Sequence, residues 1–145
     1  MSYKHILVMT DFSDFSKKAV EQAAWMAKAS GCALTVLHVA HDRSQFQVYI
    51  TDEQYRSIKS KIDNEIEEKF ANMENEIPVL KDMDWTSLIR RGVPYIEGLY
   101  ETEKGEYDLL VIGSHGQSGL KRFTFGTTAG KILRHCPISV LITRI

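Results

Sequence analysis

Apolar residues along this chain fall into short solid blocks, separated by longer stretches in which they recur every three or four places. Ile6-Leu7-Val8-Met9 is apolar on every side and bounded by Thr10-Asp11, the pattern of a central parallel strand covered on both faces. Ser13 can cap the helix that follows, in which Ala19, Val20, Ala23, Ala24, Met26 and Ala27 keep helical spacing until Gly31 offers a left-handed stop. Ala33 to Val39 is a second run of strand length, and a whole helix between the two runs makes them parallel.

Ala40 to Ile50 has mixed polarity and no period, which predicts a surface loop. Thr51-Asp52-Glu53-Gln54 reads as a capping box, opening a long amphipathic helix on Tyr55, Ile58, Ile62, Ile66, Phe70 and Met73 with a solvated Lys and Glu face. Trp85 to Arg90 is a weaker strand, followed by Gly92-Val93-Pro94 and a helix carrying Ile96, Leu99 and Tyr100 that stops near Gly105. Asp108 to Ile112 forms the clearest strand of the second half and ends in Gly113. Thr127 to His135 then fits a helix, and Pro137 to Ile142 a last strand.

Five strands alternating with four helices predict an α/β fold, a doubly wound open parallel sheet with helices on both faces. In the strand order 3-2-1-4-5 the ligand crevice lies beyond the carboxyl ends of strands one and four, where that order reverses. Two unusual segments meet there: Thr10-Asp11-Phe12-Ser13 and the stretch from Gly113 to Gly126.

A length of 145 residues suits one domain, 1–145, with a core large enough to need neither disulfide nor metal. The formal charge of -1 removes the field that draws proteins to nucleic acid or anionic membranes. Cys32 and Cys136 lack any CxxC or His-rich neighbourhood and read as small buried apolar residues. His5, His38, His41 and His135 show no metal-ligand spacing and read as structural or exposed. The first strand starts close behind Met1, with no long apolar segment or cleavage site before it, so a cytoplasmic protein without membrane insertion is expected.

In Gly113-Ser114-His115-Gly116-Gln117-Ser118-Gly119 three glycines recur every third residue where a buried strand opens. Such a backbone can turn successive N–H groups inward around an anion. Gly126-Thr127-Thr128 begins a helix whose unpaired N–H groups and positive dipole end face the same place. The spacing is neither a Walker A loop nor the dinucleotide fingerprint, which sits directly after the first strand. Ser114 and His115 invite a catalytic reading, in which the imidazole orients water or accepts a phosphoryl group, but the sequence shows no carboxylate to orient it. Lys121 and Arg122 are either phosphate-facing cations or solvated ones.

The pattern Gly113, two residues, Gly116, nine residues, Gly126, Thr127 resembles the G-x2-G-x9-G-[Ser/Thr] signature of the ATP-binding branch of the universal stress protein family. Lys4-His5-Ile6-Leu7-Val8, Thr10-Asp11-Phe12-Ser13 and Leu37-His38-Val39 extend the likeness over almost the whole chain. The resemblance implies an adenine nucleotide alpha hydrolase-like fold binding ATP, or AMP or ADP, with Mg²⁺ held through the phosphates. Asp11, with Met9 and Thr10 beside it, would accept a ribose hydroxyl or act through Mg²⁺. Val39 matches the position whose backbone reads the adenine edge, and Ile112 the apolar residue beside the nucleotide. Gly113, Gly116, Gly126, Thr127 and Thr128, with His115 among them, match the phosphate-binding positions. Met9 departs from the family, which often has proline or alanine there, and this implies an adenosine pocket of different shape.

Three roles follow from the resemblance: a nucleotide-dependent regulator in the stress response acting on an unidentified protein partner, a slow ATPase or autophosphorylating enzyme, or a dimeric interaction module without nucleotide. The glycines at 113, 116 and 126 oppose the last. The last strand, Ile138 to Ile142, would form an apolar sheet edge, an aggregation hazard that the family resolves by pairing it across a homodimer.

Overall fold

Each apolar block becomes a strand and each periodic stretch a helix. The computed structural model describes residues 2–115 and 126–144. In chain order these form β1 (His5–Met9), α1 (Asp14–Ser30), β2 (Ala33–Ala40), α2 (Asp52–Glu76), β3 (Thr86–Arg91), α3 (Pro94–Glu103), β4 (Leu109–Gly113), α4 (Thr127–His135) and β5 (Ser139–Thr143). The strands make one parallel sheet in the order β3-β2-β1-β4-β5, as expected. Val8 sits at its centre, opposite Val36 of β2 and Val111 of β4.

The period of two along each strand divides the core into two layers. Ile6, Val8, Leu34, Val36 and Val111 meet the alanines of α1 and Ile66, Phe70 and Met73 of α2 on one face. Leu7, Leu37, Leu110 and Ile112 meet Ala129 and Ile132 of α4 on the other. Ile6, Leu7 and Val8 have no exposed surface at all. Burial of one such side chain contributes about 1.5–3 kcal/mol, so an uninterrupted apolar β1 fixes the middle of the sheet.

Local chemistry sets the helix ends. The Ser13 hydroxyl accepts the Ser16 N–H at the start of α1, and Gly31 ends that helix at φ +66°. Thr51 and Gln54 form both halves of the capping box on α2. The mixed-polarity segment after β2 differs from the expected loop. Asp42 Oδ1 accepts the Ser44 N–H at 2.9 Å, and a 3-10 helix follows over Ser44–Tyr49. A second 3-10 helix, Pro78–Asp82, leads towards β3.

Asp108 stays outside β4 because its carboxylate accepts the Lys4 and His5 N–H groups, tying the start of β1. Cys32 and Cys136 are half-buried, which corrects the expectation of core residues. Each follows a helix end: Cys32 comes directly after the Gly31 cap, and Cys136 is itself the cap of α4. An ion pair anchors α3, where buried Glu101 accepts the Arg90 Nε–H at 2.8 Å and the Tyr107 hydroxyl at 2.9 Å. Burial raises the Glu101 pKa, but Tyr107, Arg90 and Lys104 outweigh it and leave the carboxyl below its ordinary value.

Candidate nucleotide-binding site

The crevice expected from the strand order belongs at the carboxyl ends of β1 and β4, which pair side by side while α1 and α4 pack on opposite faces of the sheet. On the β1 side, hydroxyl groups organise the backbone. Thr10 N–H donates to the Leu37 carbonyl at 2.8 Å, carrying the β1–β2 ladder one residue beyond the strand. Its Oγ1 accepts the Phe12 N–H at 3.0 Å and lies 3.0 Å from the Ser16 hydroxyl. Buried Ser16 Oγ in turn accepts the Asp11 N–H at 3.3 Å and donates to the Ser13 carbonyl at 3.0 Å.

These bonds let Phe12 hold a φ of +64°, a left-handed conformation that a non-glycine residue adopts only when its surroundings impose it. The Phe12 ring packs on His38 and, edge-on, on Phe70, at centroid distances of 4.6 and 5.2 Å. His38 closes the loop from below, with Nδ1 2.8 Å from the Thr10 carbonyl oxygen. A carbonyl can only accept, so Nδ1 carries the proton. Burial moves the His38 pKa below its ordinary value despite that hydrogen bond and the nearby Asp11 charge. Asp11 Oδ1 accepts the Ser13 N–H at 3.0 Å, while the helix cap itself falls to Ser13.

On the β4 side the backbone runs close to α1. A Cβ on Gly113 would lie 3.0 Å from the Phe15 carbonyl oxygen, so a larger residue there would have to shift β4 away from the first turn of that helix. Ser114 N–H continues the β4–β5 ladder to the Thr143 carbonyl at 2.9 Å. The Ser114 carbonyl then accepts the Gly126 N–H at 2.8 Å, bringing the start of α4 back to the end of β4. The first bond inside α4 runs from Gly130 N–H to the Gly126 carbonyl, and no side chain among the described residues caps that helix. The N–H groups of Thr127, Thr128 and Ala129 therefore lack intrahelical partners and present a partial positive charge.

His115 stacks 5.4 Å from the Phe15 ring, and its Nδ1 lies 3.1 Å from the Ser114 hydroxyl. Its Nε2 is buried and has no hydrogen-bond partner among the described residues. Met9, Val39 and Ile112 are each about 6% exposed and point their side chains into the layer under α3 and α4. Thr10, Asp11, Gly113, Ser114, His115, Gly126, Thr127 and Thr128 are thus brought around one crevice, whereas Gly116, Lys121 and Arg122 lie outside the described residues.

Two residues that organise the site were not singled out by sequence. Ser16 is the hub of the β1 loop, and the hydroxyl series Thr10, Ser13, Ser16 was the available signal. His38, read only as structural or exposed, is the prop under Thr10. Among the described residues no group of three or more His, Cys, Asp or Glu could hold a metal ion, which leaves Asp11 as the crevice's own carboxylate. No helix of the described residues is long and apolar enough to cross a membrane.

The model of the universal stress protein family matches residues 2–144. The chain belongs to the universal stress protein family. Among its relatives, universal stress protein YxiE of Bacillus subtilis is 28% identical over 146 residues, covering 96% of this chain and 99% of YxiE. The structure of universal stress protein UspA from Lactobacillus plantarum superposes with a TM-score of 0.81 at 25% identity, covering 99% of both chains. Two more distant structures share the fold. One is a universal stress protein in complex with cAMP, with a TM-score of 0.69 at 21% identity over 99% of this chain and 98% of that one. The other, from Archaeoglobus fulgidus, is in complex with dAMP, with a TM-score of 0.61 at 19% identity over 98% of both chains.

Proposed function

We propose that this universal stress protein binds an adenine nucleotide, ATP in the first instance, in the crevice between β1 and β4, and that occupancy regulates a protein partner. The observation that carries the reading is the convergence of the close-packed Gly113 end of β4 with the N-terminus of α4, which no side chain among the described residues caps. Gly113, Gly126, Thr127 and Thr128 would hold the phosphates through backbone N–H groups, each charge-assisted bond contributing roughly 1.5–3 kcal/mol. Asp11, already oriented by its bond from Ser13, would accept a ribose hydroxyl or reach the phosphates through Mg²⁺. Nucleotides in the cAMP and dAMP complexes of fold relatives support an adenine ligand over other anions.

A binding role is favoured over turnover by the surroundings of His115. Among the described residues its Nδ1 meets the Ser114 hydroxyl and no carboxylate, so the imidazole lacks the partner that would make it a strong general base. Binding at the crevice would bias the Asp11 loop and the start of α4 together, which is how a nucleotide can change what docks above them. Strand β5 lies at the sheet edge with its apolar residues half-buried, and pairing with a second copy there gives a homodimer.

Denaturing freshly purified protein, identifying released nucleotide by chromatography with mass detection, and titrating ATP with Mg²⁺ by calorimetry tests the reading. Stoichiometric nucleotide, or binding lost in Gly126→Asp, is expected. Protein that arrives empty and ignores ATP, ADP and AMP would leave a dimeric interaction module in its place.

A further inference from the structure

A second site lies beside the 3-10 helix over Ser44–Tyr49. That helix buries none of its own residues. It shelters a cavity of about 250 Å³ against α2, walled by Phe46, Ile50, Tyr55, Ile58 and Ile62. Phe46 and Ile58 remain 51% and 47% exposed, so apolar surface stands on both sides of an opening that the chain itself leaves unfilled.

The rim has one predominant sign. Arg43, Lys59 and Arg91 border the cavity. Arg91 pairs with Asp63. Asp42, the carboxylate on the rim, is turned into its own chain by the Ser44 N–H. No carboxylate pairs with the Arg43 or Lys59 side chains among the described residues. An apolar slot under unpaired cations is complementary to a molecule with a greasy body and one anionic end. The volume is below the ~300–1,000 Å³ of sites for drug-sized ligands, which selects a small one.

We propose that this groove binds a small amphipathic carboxylate, a medium-chain fatty acid in chemical class, with its chain between Phe46 and Ile58 and its headgroup at Arg43 and Lys59. The groove is lined by none of Asp11, Gly113 or Thr127, so the proposal stands independently of nucleotide binding.

The test follows amide shifts of the full-length chain as octanoate is added, with 1-octanol as the uncharged control. Saturable shifts confined to residues 42–62 and Arg91 are expected. Affinity should fall roughly tenfold for octanol and for the Arg43→Gln/Lys59→Gln double variant, and binding should be lost in Ile58→Asp. All three side chains are solvent-exposed, so circular dichroism should show the variants folded. Absence of saturable shifts, equal affinity for octanol, or an unchanged double variant would overturn the proposal. So would displacement of octanoate by ATP, which would make the groove part of the nucleotide crevice. Shifts that depend on protein concentration and vanish in Ile58→Asp would show instead that a second copy covers the groove.

Discussion

Gly98 of α3 gives up its side chain to Met9 of β1: a Cβ on Gly98 would lie 2.7 Å from Met9 Sδ and 2.8 Å from Met9 Cε. Met9 is therefore matched by a missing side chain on the helix above it. The pair predicts a reciprocal mutational effect. Gly98→Val should destabilise by about 1–3 kcal/mol through overpacking, and Met9→Ala in the same chain should restore part of that loss. Urea unfolding of the two single variants and the double variant measures the coupling, and strictly additive losses would contradict the match.

Ser16 is buried at the hub of the β1 loop, bonded to Thr10, Asp11 and Ser13. Ser16→Ala leaves those partners without their shared hydroxyl, at a cost of about 1–3 kcal/mol. ATP affinity should fall along with stability, because the loop that carries Asp11 loosens. A variant as stable as the parent by urea unfolding would show that the hub is dispensable.

The lowered pKa of His38 gives stability an acid limb. As pH falls through about 6.5, the ordinary histidine value, the unfolded chain takes up a proton that the folded chain resists, so stability is full above that value and declines below it. His38→Asn keeps an N–H for the Thr10 carbonyl but cannot titrate. The slope of unfolding free energy below about pH 6.5 should flatten in that variant, and an unchanged slope would place the proton uptake elsewhere.

Tyr107 sets an alkaline limb of opposite sense. Burial, then the hydrogen bond to Glu101, pushes its pKa up to about 12 from 10.0. The folded chain holds the phenol proton that the unfolded chain releases, so this contribution is whole below pH 10 and is lost as pH rises towards 12. Tyr107→Phe should remove that dependence, read as absorbance of phenolate against pH and as chemical unfolding. It should also leave Glu101 with Arg90 and Lys104 but no phenol donor, at a cost of about 1 kcal/mol at neutral pH.

The strand order was legible because β1, β2 and β4 are solid apolar runs, a signature left by burial on both faces. Thr51 and Gln54 showed the start of α2 for an equally local reason, since both halves of a capping box lie within four residues. The 3-10 helix over Ser44–Tyr49 was not legible: it is held by short-range bonds, from Ser44 to Asp42 and from Phe46 to Arg43, and buries no residue that would impose a period. In the crevice, glycine spacing and Asp11 were visible in the chain. Ser16 and His38 act by bonds to backbone atoms distant in sequence or hidden in a helix, and hydroxyl and imidazole groups carry no mark of which carbonyl they will find.

The hydrogen bond from Gly126 to Ser114 has an engineering consequence. It ties the point at which the chain leaves β4 to the point at which it enters α4, so the end of the strand and the first turn of the helix are held as one unit. A spectroscopic probe attached at Thr127 should therefore report any displacement of the β4 end, because the two are joined through Ser114.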